Sequence, residues 1–183
     1  MIKAVIFDAF GTLIRSGRGR SPYAILAGDD ARAWRERFLK QNKGMDQFAR
    51  ELGALGRLGE AMAALDEEMN GLALFDDVCD AISRLRASGL RLVVCSNLAK
   101  PYGGVVKRLL PDMDGYCFSY EQGAMKPEPP MYAKALEMAG CSAREAVFVG
   151  DSKRCDCLGP RGFGMDGRHL QREEGQTLLS ALA

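Results

Sequence analysis

The chain opens on a short unbroken apolar run, Ala4 to Phe7, which stops at Asp8. Four to eight apolar residues with no polar interruption suit a strand buried on both faces, as in the middle of a parallel sheet. Runs of the same kind recur at residues 90–95, ending in Ser96-Asn97, and at 146–149, ending in Gly150-Asp151-Ser152. Residues 116–119 read as a further strand. Helical patterns separate them. One starts at Asp76-Asp77, with Val78, Ile82 and Leu85 as its inner face and Ser88-Gly89 as its end. A short one covers 102–110, and another opens on Pro129-Pro130 and stops at Gly140. A helix over about 153–161, a short run at 164–166 and a last helix over 176–182 complete the pattern. Such alternation with right-handed crossovers predicts an α/β core, a parallel sheet flanked by helices.

One region departs from this rhythm. After Leu13-Ile14 the chain becomes polar and Gly-rich as far as Pro22. From about residue 29 to 70 Trp34, Phe38, Phe48, Leu52, Leu55, Leu58, Met62, Leu65 and Met69 recur at helical steps. Gly44 and the 53–59 stretch are expected to divide this region into three helices. Residues 15–74 therefore read as an all-helical insertion, a cap, within a core made of 1–14 and 75–183.

At 183 residues, 47% of them hydrophobic, the chain suffices for one full core with one insertion. With 25 basic against 24 acidic residues there is no charge footprint for nucleic acid or anionic membrane, which favours a small-molecule substrate. The opening apolar run is too short for a secretion signal, and no run reaches the length of a membrane span, so the expected location is the cytoplasm. The six scattered cysteines read as small core hydrophobes rather than as disulfides or a zinc site.

Chemistry gathers where the strands end. Asp8, Ser96-Asn97 and Asp151 each follow a strand, and Lys126 lies in a loop between the second and last of these. In open α/β sheets ligands bind beyond the carboxyl ends of strands, so these groups share one functional rim. Gly11 permits a sharp turn after Asp8, and Thr12 offers a hydroxyl beside it.

In order and wording, FDAFGTL, VVCSN, KPEPPMY and FVGDSKRCDCLG resemble the four motifs of the haloacid dehalogenase superfamily over residues 1–166. The resemblance implies a Rossmann-like core with a cap inserted after the first motif. It implies Asp8 as a nucleophile that forms a covalent aspartyl intermediate, later hydrolysed by water. Thr12 and Ser96, with Asn97 alongside, would bind the transferring group. Lys126 would neutralise its charge and keep Asp8 ionised. Asp8, Asp151 and the backbone carbonyl of Phe10 would hold one Mg²⁺, with Asp156 orienting water or Lys126 from behind.

Two positions pull in opposite directions. Phosphatases of this superfamily keep a second Asp two residues after the nucleophile, as general acid and base, where this chain has Phe10. The D-x-[FY]-G-T-L form is instead similar to the 2-haloacid dehalogenases, in which a halide leaves without needing a proton, and Tyr132, six residues after Lys126, also fits them. Those dehalogenases work without metal and carry serine where this chain has Asp151, because another carboxylate there would repel an anionic haloacid. The cap shows no clear counterpart of their halide-binding arginine. The favoured reading is a Mg²⁺-dependent phosphate-ester hydrolase, the alternatives being a metal-independent dehalogenase and a binding or regulatory protein of the same fold. Arg15, Arg18 and Arg20, in the polar connection, read as solvated rather than as an anion clamp, and His169 as a surface or packing residue.

Overall fold

The computed structural model describes residues 1–15 and 20–183. Its centre is a five-stranded parallel sheet in the order β5-β4-β1-β6-β7, built from β1 (Ala4–Phe7), β4 (Arg91–Ser96), β5 (Gly115–Phe118), β6 (Ala146–Gly150) and β7 (Asp166–His169). The expected α/β architecture with helices on the sheet faces is what forms. Because β1 is flanked on both sides, its residues alternate between two apolar layers. Val5 and Phe7 pack with Leu92, Val94 and Val149 on one face, and Ala4 and Ile6 with Val93, Phe148 and Tyr132 on the other. Burying each such side chain contributes about 1.5–3 kcal/mol, which is why an uninterrupted apolar run was needed here.

Registers matter more for the site than layers do. Phe7 stands level with Val94 on one side and Val149 on the other, so β1, β4 and β6 finish within a residue or two of one another. The next strands leave β1 in opposite directions, and the crevice at this reversal opens beyond their carboxyl ends.

Between β2 (Ile14–Arg15) and β3 (Ala73–Leu74), which pair antiparallel as a short ribbon, the chain is helical: α1 (Pro22–Ala27), α2 (Ala31–Lys40), α3 (Met45–Glu51) and α4 (Leu55–Asn70). Phe38, Phe48, Leu26 and Leu65 form a separate apolar cluster there. Two details differ from the sequence reading. A helix begins at Pro22, announced by Ser21, whose side chain caps it, where a connection was expected. Gly56 and Gly59 lie inside α4 and do not break it, since neither adopts a positive φ; Gly53, at φ +64, lies in the turn between α3 and α4.

The remaining helices are α5 (Val78–Ala87), α6 (Lys100–Leu109), α7 (Ser119–Gln122), α8 (Pro129–Ala139), α9 (Gly159–Gly162) and α10 (Leu178–Leu182). A wide helical turn, Lys153–Leu158, leads into α9. The strand expected at 116–119 sits one residue earlier, since Ser119 already turns into α7 and its hydroxyl bonds the Leu98 backbone. The run at 164–166 belongs to the approach of β7, which extends to His169. Among the described residues no helix is long and apolar enough to cross a membrane.

Candidate active site

Asp8 begins the loop after β1, and its backbone N–H donates to the Val149 carbonyl at 3.0 Å, which pins the loop to β6. The chain then doubles back tightly: Leu13 and Ile14 N–H both reach the Ala9 carbonyl, and Gly11 N–H reaches Ile14. Gly11 has φ +75, and a Cβ there would lie 2.3 Å from Asp151 Oδ2. Glycine is thus required twice over, by the turn and by the carboxylate seated against it.

Lys126 is the hub. Its Nζ, on a side chain 2% exposed, donates to Asp8 Oδ1 at 2.8 Å and to Asp156 Oδ1 at 2.6 Å. Removal from water works against the charged ammonium, but the two carboxylates outweigh it and hold the lysine well above its ordinary pKa. Asp156 is itself 1% exposed, and its second oxygen accepts the Ser152 N–H at 3.0 Å. Burial pushes its pKa up to about 6, with Lys126 pulling the other way and Asp8 adding to the rise. Gly150 makes room for this carboxylate, since a Cβ there would fall 2.4 Å from it.

Asp151 is exposed, and its carboxyl is raised from the ordinary value by lost hydration and then by repulsion from Asp8. Asp8, Asp151 and Asp156 each place one oxygen within 4.8 Å of the others. Both oxygens of Asp156 are engaged by Lys126 and Ser152, whereas Asp8 has one oxygen outside the lysine contact and Asp151 has no cationic side chain bonded to it among the described residues. Two adjacent, repelling carboxylates on an open rim fit a hard divalent cation held by oxygen.

The structure brings all the expected site residues to this rim, but several are occupied differently from expectation. Thr12 is fully buried, and its hydroxyl accepts the Asp151 N–H at 3.1 Å, tying the first loop to the last rather than facing a ligand. Asn97 spends its amide on the Lys126 main chain, donating to the carbonyl at 2.9 Å and accepting the N–H at 2.7 Å, so it positions the lysine loop. Ser96 is buried at the end of β4. Phe10 is half-buried, its ring set edge-on to Tyr102 at 5.7 Å. Tyr132 directs its hydroxyl to the Cys155 carbonyl at 2.6 Å and so braces the last loop.

Three groups at the site were not anticipated from sequence. His169 Nε2 pairs with the Asp151 carbonyl at 2.8 Å; the sign available was its place at the end of β7, level with Gly150. Arg172 donates to the Thr12 carbonyl at 2.6 Å and to Asp77 at 2.7 Å, stacking over Phe75, and nothing in the sequence pattern marked it. Tyr102 donates to Glu68 at 2.7 Å, joining α6 to α4 beside Phe10. Arg15 pairs with Asp76 and Arg20 with Glu60, both on the surface, while Arg18 lies outside the described residues.

Parallel sheet, motif order and carboxylate rim together define a hydrolase class. A family model described as haloacid dehalogenase-like hydrolase matches residues 2–164, and the chain belongs to that family. Haloacid dehalogenase-like hydrolase domain-containing protein 3 of Danio rerio is 31% identical over 105 residues, 56% of this chain and 43% of that protein. This chain thus spans less than half the length of that relative. A phosphoglycolate phosphatase of Rhodospirillum rubrum is 29% identical over 83% of this chain and 73% of its own length. An (S)-2-haloacid dehalogenase of Xanthobacter autotrophicus is 26% identical over 100% of this chain and 80% of its own. Among solved structures, a HAD family enzyme of Bacteroides thetaiotaomicron, in complex with magnesium and inorganic phosphate, superposes with a TM-score of 0.70 at 19% identity, covering 97% of this chain and 98% of that one.

Proposed function

We propose that this chain is a Mg²⁺-dependent hydrolase of a small phosphate monoester, working through Asp8. The observation that carries the reading is the exposed Asp151 carboxylate beside Asp8, repelled by it and with no cationic side chain bonded to it among the described residues. A 2-haloacid would bring a further carboxylate to this place, whereas a phosphate ester arriving with a divalent cation relieves the repulsion. The phosphatase relative agrees with this reading and the dehalogenase relative with the other.

In the proposed reaction one Asp8 carboxylate oxygen attacks phosphorus, the ester oxygen departs with the bond's electron pair, and an aspartyl phosphate remains. Water then attacks that phosphorus, releasing phosphate and restoring the carboxylate. Lys126 donates to Asp8 and orients it, Asn97 fixes the lysine loop, and Asp156 anchors the ammonium from the other side. Asp8 and Asp151, with the Phe10 carbonyl, would hold Mg²⁺, whose charge stabilises the transferring phosphoryl group when bound. With Phe10 in place of an acid, no side chain at that position protonates the departing oxygen, and turnover should favour good leaving groups.

The second reading, metal-independent dehalogenation, rests on Phe10 and, more weakly, on Tyr132 six residues after Lys126. A hydrolysis assay with phosphate esters and 2-haloacids side by side, with Mg²⁺ and with chelator, separates the two. Mg²⁺-dependent phosphate release, faster for aryl and acyl phosphates than for alkyl phosphates and abolished in Asp8→Asn, is the expected result. Halide release that survives chelation would overturn the phosphatase reading, and turnover of neither class would point to a binding protein.

A further inference from the structure

Asp151 is the first residue beyond β6, and the sheet stops supporting the chain there. The ladder between β6 and β7 ends on the Leu170 N–H, which donates to the Gly150 carbonyl at 2.8 Å. Both main-chain polar groups of Asp151 are then taken by side chains: its N–H by the Thr12 hydroxyl at 3.1 Å and its carbonyl by His169 Nε2 at 2.8 Å. A carbonyl can only accept, so this imidazole nitrogen carries a proton and donates. His169 stands level with Gly150 at the end of β7, and its half-buried ring lines a cavity of about 660 Å³ together with Gly11, Asp151, Phe75 and Arg172. None of α1 to α4 contributes a described residue to this cavity, so it flanks the rim on the side away from the helical insertion.

From this geometry we infer that His169 is a positioning residue of the cation site: by holding the Asp151 carbonyl it keeps the Asp151 carboxylate against Gly11 and beside Asp8, where a divalent cation needs both. The inference rests on the Mg²⁺-dependent reading and names a residue that sets the affinity of that site. Three observations carry it. The first is repulsion: Asp8 and Asp151 bring carboxylate oxygens within 4.8 Å of each other, while Lys126 is committed to Asp8 and Asp156 and no cationic side chain bonds Asp151 among the described residues. The Asp151 carboxylate is therefore driven outward, and its main chain has to resist. The second is room: the cavity on its flank leaves space for the carboxylate to swing into, so packing does not hold it on that side. The third is where the two main-chain bonds originate. Thr12 lies in the loop after β1 and His169 at the end of β7, the two strands that flank β6, so Asp151 is pinned from both sides and cannot turn without breaking one bond. A ligand already in place costs a cation less to order, and groups that orient metal ligands typically govern affinity by about 10- to 100-fold.

The test reads Mg²⁺ binding apart from turnover, from the rise of the melting temperature of the whole chain with Mg²⁺ concentration. His169→Met keeps the reach of the side chain and removes the donor, whereas His169→Gln returns an amide N–H close to the place of the imidazole Nε2. The Mg²⁺ Kd should rise about tenfold or more in His169→Met and stay within about threefold of wild type in His169→Gln. With an aryl phosphate as substrate, the Mg²⁺ concentration giving half-maximal rate should move by the same factor in His169→Met, while kcat at saturating Mg²⁺ returns to that of wild type. A merely structural histidine would lower the melting temperature in chelator and leave the Mg²⁺ Kd where it was. That result, or a His169→Gln variant as weak in Mg²⁺ binding as His169→Met, overturns the inference and leaves the hydrolase reading intact. If His169→Met does not fold, His169→Ala against His169→Gln makes the same comparison with the same outcomes. A wild-type melting temperature that does not respond to Mg²⁺ at all overturns both the inference and the Mg²⁺-dependent reading.

Discussion

Replacing Lys126 by Met tests whether the buried charge cluster is held together by this one ammonium. The substitution keeps the length of the side chain and removes its charge, so packing against Phe148 is nearly conserved and the electrostatic loss stands alone. Left behind are Asp156, 1% exposed, and Asp8, 8% exposed, with their Lys126 contacts of 2.6 and 2.8 Å gone. Removing one partner of a buried ion pair typically costs about 3–5 kcal/mol. Asp156 can escape part of that by taking up a proton, since its pKa already lies at about 6, so the lower end of the range is expected at neutral pH. The double variant Lys126→Met/Asp156→Asn removes the stranded charge as well and should recover about 1–3 kcal/mol of the loss. Urea unfolding in chelator at pH 7, with m-values compared across the four members of the cycle, is the measurement. A loss below about 1 kcal/mol in Lys126→Met, or strict additivity in the double variant, would refute the view that Lys126 neutralises both carboxylates.

Two further outcomes follow from local geometry. Gly11→Ala must place a Cβ against Asp151 at φ +75, so it should cost about 1–2 kcal/mol in urea unfolding and weaken Mg²⁺-dependent stabilisation as the carboxylate is displaced. At the opposite end of the sheet, the hydrogen bond from Lys3, and then the capping Ser142, hold the Glu145 carboxyl at about 2, below its value in an unfolded chain. A depressed acid contributes stability that is present above about pH 4.3 and is lost as pH falls toward 2. Glu145→Gln should flatten that part of the acid-unfolding profile, and an unchanged profile would discount the contact.

Much of this architecture was legible because burial on both faces of β1, β4 and β6 forces unbroken apolar runs, and such runs are visible without structure. Asp8, Ser96 and Asp151 were legible for the related reason that strand ends in such a sheet face one crevice. What hid was everything decided by side-chain direction. Thr12 and Asn97 stand at the expected positions, yet a hydroxyl and an amide can serve a ligand or the protein's own backbone, and here Asp151 N–H and the Lys126 main chain claim them. Sequence spacing carries no information about that choice. Arg172 was hidden more completely: it reaches Thr12 across 160 residues, from a polar segment whose composition resembles any surface turn. The helix at Pro22 is a different case, since Ser21-Pro22 is a readable start signal that the Gly-rich stretch before it masked.

Phe10 connects the chemistry to the cap in a way that neither motif nor fold conveys alone. Its ring meets the edge of Tyr102 on α6, and the Tyr102 hydroxyl donates to Glu68 on α4, so a line of contacts runs from the loop after Asp8 into the helical insertion. Burial, and then the hydrogen bond to Glu68, raise the pKa of Tyr102, so the phenol remains a donor throughout the neutral range. An acid at position 10 would break this line, because a carboxylate in place of the ring would face Glu68 with like charge and without the aromatic contact. On the proposed phosphatase reading, the residue that removes an acid from beside the ester oxygen is the same one that packs against Tyr102 on α6. Selectivity for the leaving group and selectivity for the body of the substrate would then be coupled through a single aromatic side chain.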